Sequence, residues 1–404
     1  MPTVITGTVS TGGSTGGDLS DRFVTQISDQ IFKLGPDILP LTHISRMAQK
    51  KFVGNQTFKV LEDEPMPRTD AVNNGAGYAS GATSVVVDNG TYFRPKDIVV
   101  ATRTGEKLFV SSISTNTLTV VRGYGTTSAA ALVDNDELII MGNALDEASN
   151  APAARVTKVA SRTNYLQFFS RTTDVTEIRS NSEDYGQDEE QRQIAHCRYE
   201  IMRDIEYAFL FGEPLSEVEG SAPKDSAISH TRYTTGGLKY WIDNSASSNV
   251  LDAAGVLTQN EFYDWAAPLF KNSPVDTSSG QKQIMLFCSS KAYNVFNQFA
   301  LSPIQTKVGD NKFGINLAEY FTPYGRFMLH HHYLLDGDEY GDYCFAVNPD
   351  YIGYRCLNNM DLTVKEDIQD PNSHKAQHEF YSVCGFYITL PKVHGYIKNI
   401  SLAG

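Results

Sequence analysis

No apolar run in the 404-residue chain approaches the roughly 20 residues that a membrane-crossing helix requires, so no helical span is expected. Cysteine is scarce. The five present, Cys197, Cys288, Cys344, Cys356 and Cys384, are odd in number, widely spaced and mostly set in apolar runs such as MLFC and CFAV. With no CxxC pair and no disulfide framework, they read as buried free thiols in a reducing compartment. Positive charge is also short: 34 Lys and Arg stand against 47 Asp and Glu, a net charge of −13 that repels a polyanion. Basic residues such as Arg162, Arg171 and Arg179, or Lys50 and Lys51, are dispersed and form no dense patch. That argues against a conventional nucleic-acid binder and leaves only local contact with nucleic acid open.

Catalytic signatures are missing as well. The sequence contains no GxxxxGK[ST] or HExxH and no GxGxxG leading into a helix, and its GxSxG match, Gly12 to Gly16, follows no strand, so nucleotide, serine-hydrolase and zincin chemistry lack a starting point. The opening MPTVITGTVSTGGSTGGDLS has no charged stretch followed by an apolar one and is expected not to be a signal peptide. Its GGSTGG follows no strand and precedes no lysine, which suits a flexible tail better than a phosphate cradle.

The residues that are present describe a chain of two or three domains. Its 31 Gly, 21 Tyr and 21 Phe suggest many turns and aromatic-rich strands, hence a β-rich mixed fold. Glu183 to Gly212 reads as one long helix: acidic residues fill its first turns, apolar positions recur at Ile194, Cys197, Ile201, Ile205 and Ala208, and Phe209 and Leu210 widen the stripe. Gly212 marks the stop. At 1.5 Å per residue the helix spans roughly 40 Å, long for a globular domain.

Ahead of it, Phe23, Ile27, Ile31 and Leu34 recur at near-helical spacing in an arm that follows a Gly/Ser/Thr-rich start. Lys51 to Pro65 and Asn164 to Thr176 alternate as strands and are expected to pair as the sides of a long β-excursion. Between them, residues 78–142 hold five short strands with turns such as Asp88-Asn89-Gly90 and Thr104-Gly105, the rhythm of a small inserted β-barrel or sandwich. After the long helix, Thr258 and Glu261 form a capping box for a helix to Phe270. IMLFC (284–288) then passes through Ser289-Ser290 into a helix. Two strands near Ala376 to Leu390 and Val393 to Ile400 should return to the long helix.

Candidate chemistry is thin. In His330-His331-His332 the first and third residues of a strand share a face, so His330 and His332 could seat zinc in a metal-dependent enzyme if a third ligand were supplied. Half-buried strand histidines are the plainer reading, and carboxylate runs such as Glu62-Asp63-Glu64 and Asp188-Glu189-Glu190 read as solvated faces. No catalytic residue, metal or cofactor is assigned.

Several strings resemble the major capsid proteins of tailed bacteriophages, the Hong Kong 97-type shell fold, in a subfamily with a β-module inserted in the extended loop. NTLTVVRGYGTTSAA (116–130) is similar to that module's text and NYLQFFSRTTDVT to the strand before the spine helix. QRQIAHCRYEIMRDIEYAFLFG is similar to the spine helix, TTGGLKYWI to the segment after it and KAQHEFYSVCGFYITLPKVHGYIKNI to the closing strands. The resemblance implies an α+β fold: N-arm 1–50, extended loop 51–77 and 143–180, inserted β-barrel-like domain 78–142, spine helix 181–213, axial domain 214–345 and closing peripheral strands 346–404.

It further implies a self-assembling icosahedral shell of hexamers and pentamers around double-stranded DNA, bound without sequence specificity. Such a shell is assembled in the host cytoplasm and resides in the virion. A separate scaffolding protein, a portal and a decoration protein are the implied partners, with no membrane. An encapsulin-like nanocompartment is the alternative shell. Arm residues Phe23, Ile27 and Ile31 and loop residues Phe58, Val60, Phe168 and Phe169 are the expected subunit contacts.

Overall fold

The computed structural model describes residues 39–147, 149–150, 152, 156–182, 189–217, 230–273, 282–300, 307–308, 318–337 and 339–401. Phe23, Ile27 and Ile31 lie outside the described residues. The chain divides into two compact units, one formed by residues 1–60 and 162–404 and the other by Leu61–Ser161.

In chain order the first unit opens with α1 (Pro40–Gln49), β1 (Lys50–Val53) and β2 (Thr57–Glu62), the last ending at the border of the second unit. The second unit carries β3 (Thr69–Ala71), β4 (Ser84–Val86), β5 (Asp97–Ala101), β6 (Lys107–Ser114), β7 (Thr117–Val121) and β8 (Glu137–Asn143). Its sheet runs β3-β8-β5-β6-β7-β4, and a bridge between Val72 and Val87 joins the two ends, closing it on itself. Strict alternation sends Val99, Ala101, Leu108, Val110, Leu118 and Val120 inward to one core. Buried Glu106 pins the loops over it, accepting from the Arg122 guanidinium and from the amides of Gly123 and Ala130.

The first unit resumes with β9 (Ala160–Tyr165), β10 (Gln167–Thr176), α2 (Glu177–Ser180), α3 (Glu189–Phe211), β11 (Leu215–Glu217), β12 (Arg232–Thr234), α4 (Leu238–Ser245), β13 (Val250–Val256) and α5 (Gln259–Asn272). Next come β14 (Gln283–Cys288), α6 (Ser290–Ala300), β15 (Lys307–Val308), β16 (Ala318–Thr322) and β17 (Gly325–His331). The unit closes with β18 (Cys344–Val347), β19 (Ile352–Leu357), β20 (Thr363–Lys365), β21 (Lys375–Ile388) and β22 (Gly395–Ser401). One sheet runs β1-β19-β21-β10 with β20 added to β21, another runs β13-β22-β18-β14-β17-β16-β15, and β2-β9 and β11-β12 are two-stranded ribbons.

The long helix expected from 183 onward is α3, described from Glu189, and Cys197, Ile201, Ile205, Phe209 and Leu210 form its buried face as the spacing predicts. It packs with the inner face of the first sheet (Phe169, Phe380, Cys384, Phe386, Tyr354). The seven-stranded sheet is buried on both faces. Along β14, Met285 and Phe287 join the α3 core, while Ile284, Leu286 and Cys288 join a second core with α5 and α6. That explains why IMLFC is continuously apolar rather than alternating. The capping box of α5 is present as read, with Thr258 and Glu261 bonding reciprocally.

Three expectations are corrected. The run from Lys51 forms two strands, and β1 pairs in parallel with β19 rather than with the later segment. The run Asn164 to Thr176 breaks at Leu166, so β9 pairs with β2 while β10 pairs with β21. Finally, β22 sits between β13 and β18 and joins the core of the long helix only through Tyr396, while Ile397 and Ile400 join the second core. Each alternation was legible, but partner choice is set by long-range packing that a local pattern does not encode.

Candidate functional site

Glu206 lies on the same face of α3 as Met202 and Leu210, four residues away on either side, and is fully buried among apolar neighbours. Its carboxylate accepts from the Leu41 amide at 2.8 Å, the Thr42 amide at 2.7 Å and the Thr42 hydroxyl. Its Oε1 also lies 2.8 Å from His332 Nε2, just past the end of β17. Leu41 and Thr42 belong to the first turn of α1, whose amides have no acceptor within the helix, and the residue before α1, Leu39, provides no side-chain cap. Glu206 is therefore the amino-terminal cap of α1, supplied from 165 residues away. Burial by itself would raise its pKa. Hydrogen bonds from His332 and Thr42 outweigh that and hold the carboxyl below the usual carboxylate range.

The other end of α1 is held by a second acid. Asp361 accepts from Arg46 at 2.8 Å, Lys50 at 2.5 Å and the Tyr354 hydroxyl at 2.6 Å. Burial pulls its pKa up, but these donors keep the carboxyl below its ordinary value. Leu41 and Ile44 fill the core between the two clamps. Residues 40–50 are thus a strap clamped at one end to the long helix and at the other to Asp361. The sequence signal for it was available: a single Glu inside an otherwise apolar helical stripe.

His330 and His332 do share a face, both meeting the Phe287 ring edge-on. His332, however, is engaged by Glu206, and among the described residues no group of three or more His, Cys, Asp or Glu is arranged to hold a metal ion. A Ser/His/Asp cluster that sequence reading missed joins Ser290, His331 and Asp336. Both Ser290 Oγ (2.9 Å) and Asp336 Oδ2 (2.7 Å) meet the same nitrogen, Nε2. A proton relay needs the acid and the hydroxyl on opposite ring nitrogens. Asp336 instead accepts the Ser290 amide at the start of α6.

The expected subunit contacts separate by strand alternation. Phe169 faces α3 and is buried, Phe58 packs with Leu166 and Val383, and Val60 is buried as well, so these three are spent inside the chain and do not present surface. Phe168, one residue from Phe169, faces outward at 56% exposure beside Tyr381. Leu61 (69%), Val156 (90%) and Val159 (48%), on or next to β2 and β9, are also open to solvent.

Residues 4–401 match the SU10 major capsid protein family. A major capsid protein of Pseudomonas phage PaMx41 is 23% identical over 294 residues, covering 71% of this chain and 68% of that one. The capsid asymmetric unit of Cyanophage A-1(L) superposes with a TM-score of 0.50 at 10% identity, over 95% of this chain and 98% of that chain. The capsid of a native GTA particle gives 0.47 at 10% identity, over 97% and 99%. The fold is accordingly the α+β Hong Kong 97-type capsid fold. A long helix laid on a sheet, a strap clamped at both ends and strands whose apolar side chains face solvent suit a building block, and the chain belongs to the SU10 major capsid protein family, as a tailed-phage major capsid protein that self-assembles into the shell of the virion.

Proposed function

We propose that this chain tiles as hexamers and pentamers around a double-stranded DNA genome held without sequence specificity, and that it acts with no catalytic step. Residues 1–50 serve as N-arm, 51–77 and 143–180 as extended loop, 78–142 as an inserted β-module, 181–213 as spine helix, 214–345 as axial domain and 346–404 as closing peripheral strands. Assembly takes place in the host cytoplasm with a separate scaffolding protein and a portal, and a decoration protein is a further partner. A net charge of −13 supports the DNA part of this reading, because a shell that attracted its genome strongly would hinder packing and release.

The observation that carries the proposal is the exposure of Phe168, Leu61, Val156 and Val159 along strands and connections that belong to the extended loop in this reading. Covering one such side chain contributes about 1.5–3 kcal/mol, which a lone chain forgoes and a neighbouring copy supplies. Phe168 and the arm residues Phe23, Ile27 and Ile31 are the contacts proposed.

Electron microscopy and light scattering test this. Wild-type chain, with scaffold present, is expected to form closed shells, and Phe168→Glu to remain as subunits with an unchanged denaturation midpoint. A wild-type chain that stays monomeric at every concentration, with and without scaffold, overturns the proposal. Particles from infected cells that hold protein cargo in place of DNA would instead support a nanocompartment.

A further inference from the structure

All five cysteines are buried free thiols, yet two pairs of them are brought face to face by strand register. Cys356 of β19 opposes Cys384 of β21, and Cys288 at the end of β14 opposes Cys344 at the start of β18. The pairs differ in where the sulfurs point. Cys356 Sγ lies 4.0 Å from the Lys51 carbonyl oxygen, whereas Cys288 Sγ and Cys344 Sγ are 3.2 Å from each other. Both of the latter residues belong to the core that also holds Ala292, Val295 and Phe296 of α6. Directly opposed residues of an antiparallel pair have Cα atoms about 4.5–5.5 Å apart, inside the range of about 4.4–6.8 Å that a disulfide bridges. Closing this pair needs side-chain rotation that brings the sulfurs from 3.2 Å to an S–S bond of about 2.05 Å.

We propose that Cys288 and Cys344 are a latent redox staple: reduced while the chain folds and assembles, and oxidised to a cross-strand disulfide after the particle leaves the reducing cytoplasm. The oxidant is a low-molecular-weight disulfide outside the cell. One protein thiolate attacks it, forming a mixed disulfide and releasing one small thiol. The second protein thiolate attacks the protein sulfur of that mixed disulfide, forming the Cys288–Cys344 bond and releasing the second small thiol. Two electrons pass from the protein dithiol to the oxidant, and the two thiol protons end on the two released thiols.

Position in the sheet explains the timing. Both thiols are fully shielded, and burial pushes the Cys344 thiol well above its usual range, so little Cys344 thiolate forms in the closed sheet. Access therefore requires fraying, and both residues sit at strand termini next to Ser289, where the last bond across the two strands runs from the Ser289 amide to the Tyr343 carbonyl. Exchange through such openings is slow relative to folding, and once made the bond is shielded from reductant by the same burial. The closed loop would contain α6, β15, β16 and β17, so the staple ties β18 to β14, whose other edge pairs with β17.

Alkylation mapping provides the test. Particles are incubated with oxidised glutathione in aerated buffer, denatured in iodoacetamide and digested. Peptides containing Cys288 and Cys344 are expected to be joined and unalkylated until reductant is added, with Cys197, Cys356 and Cys384 alkylated throughout; subunits purified under reductant should show all five alkylated. Complete alkylation of Cys288 and Cys344 after oxidation overturns the proposal, as does a bond between Cys356 and Cys384 in their place. Oxidised wild-type particles should also lose several degrees of thermal stability on reduction, and Cys344→Ser particles none; a reductant effect of equal size in both overturns it too.

Discussion

One carboxylate, that of Glu206, serves three structural parts at once: α3, the first turn of α1 and His332. Replacing it with Gln leaves a single acceptor oxygen for the Leu41 and Thr42 amides and turns an NH2 group toward other donors. Glu206→Gln is expected to cost about 2–4 kcal/mol, read as a lower denaturant midpoint of the unassembled subunit. Hydrogen exchange at Leu41 and Thr42 should accelerate; unchanged exchange there would show that α1 does not depend on this cap. A second residue sets acid stability. His394 is fully buried, its Nδ1 accepts the Asn348 amide at 3.2 Å, and burial pushes the imidazole down to about 4 from 6.5. As pH falls from 6.5 the unfolded chain takes up this proton first, so stability declines toward pH 4 and this contribution is flat below it. The loss is about 3 kcal/mol, and His394→Gln should shrink it. A wild-type midpoint that does not change between pH 6.5 and 4.5 would contradict this assignment.

Among the elements, the junction of α3 and α4, where Gly212 marks the helix stop, depends on close approach. Gly212 is not among the glycines with positive φ. Its Cβ would instead meet the Ala208 and Thr235 carbonyl oxygens at 2.4 and 2.5 Å. At Gly237, which opens α4, a Cβ would lie 2.7 Å from both the Ala208 oxygen and the Gly212 nitrogen, all backbone atoms that cannot swing aside. Gly237→Ala should lower the thermal midpoint by the equivalent of about 1–3 kcal/mol, an overpacking cost. Gly54→Ala, where nothing lies within 4 Å, serves as the control. Equal effects of the two would refute the close-approach argument. The stripe of α3 is legible because a helical stripe is a local property; that Gly237 must touch its last turn is not, since Gly237 lies beyond β11 and β12 in the chain.

For the whole molecule, the division into two compact units has a mechanical consequence. Leu61–Ser161 encloses its own core of Val, Leu and Phe side chains around a sheet closed by the Val72 to Val87 bridge. Limited proteolysis of the unassembled subunit should therefore leave a resistant fragment containing residues 69–143, while the Gly/Ser/Thr-rich residues 1–20 are cut first. First cuts inside β5 to β7 would show that this sheet does not hold together as a unit.

The amino-acid order by itself determined what depends on neighbours a few residues apart: the stripe of α3, the capping box of α5, the step from β14 into α6, and the five strands between residues 78 and 142. Periods of 3.6 and 2 are read directly from the chain because they follow from backbone geometry. Tertiary structure alone decided which strands pair, that Glu206 caps a helix 165 residues away, that Phe58, Val60 and Phe169 are consumed internally, and that Cys288 meets Cys344. Those outcomes follow from burying every apolar face at once, a condition on the whole chain that no short window of sequence contains.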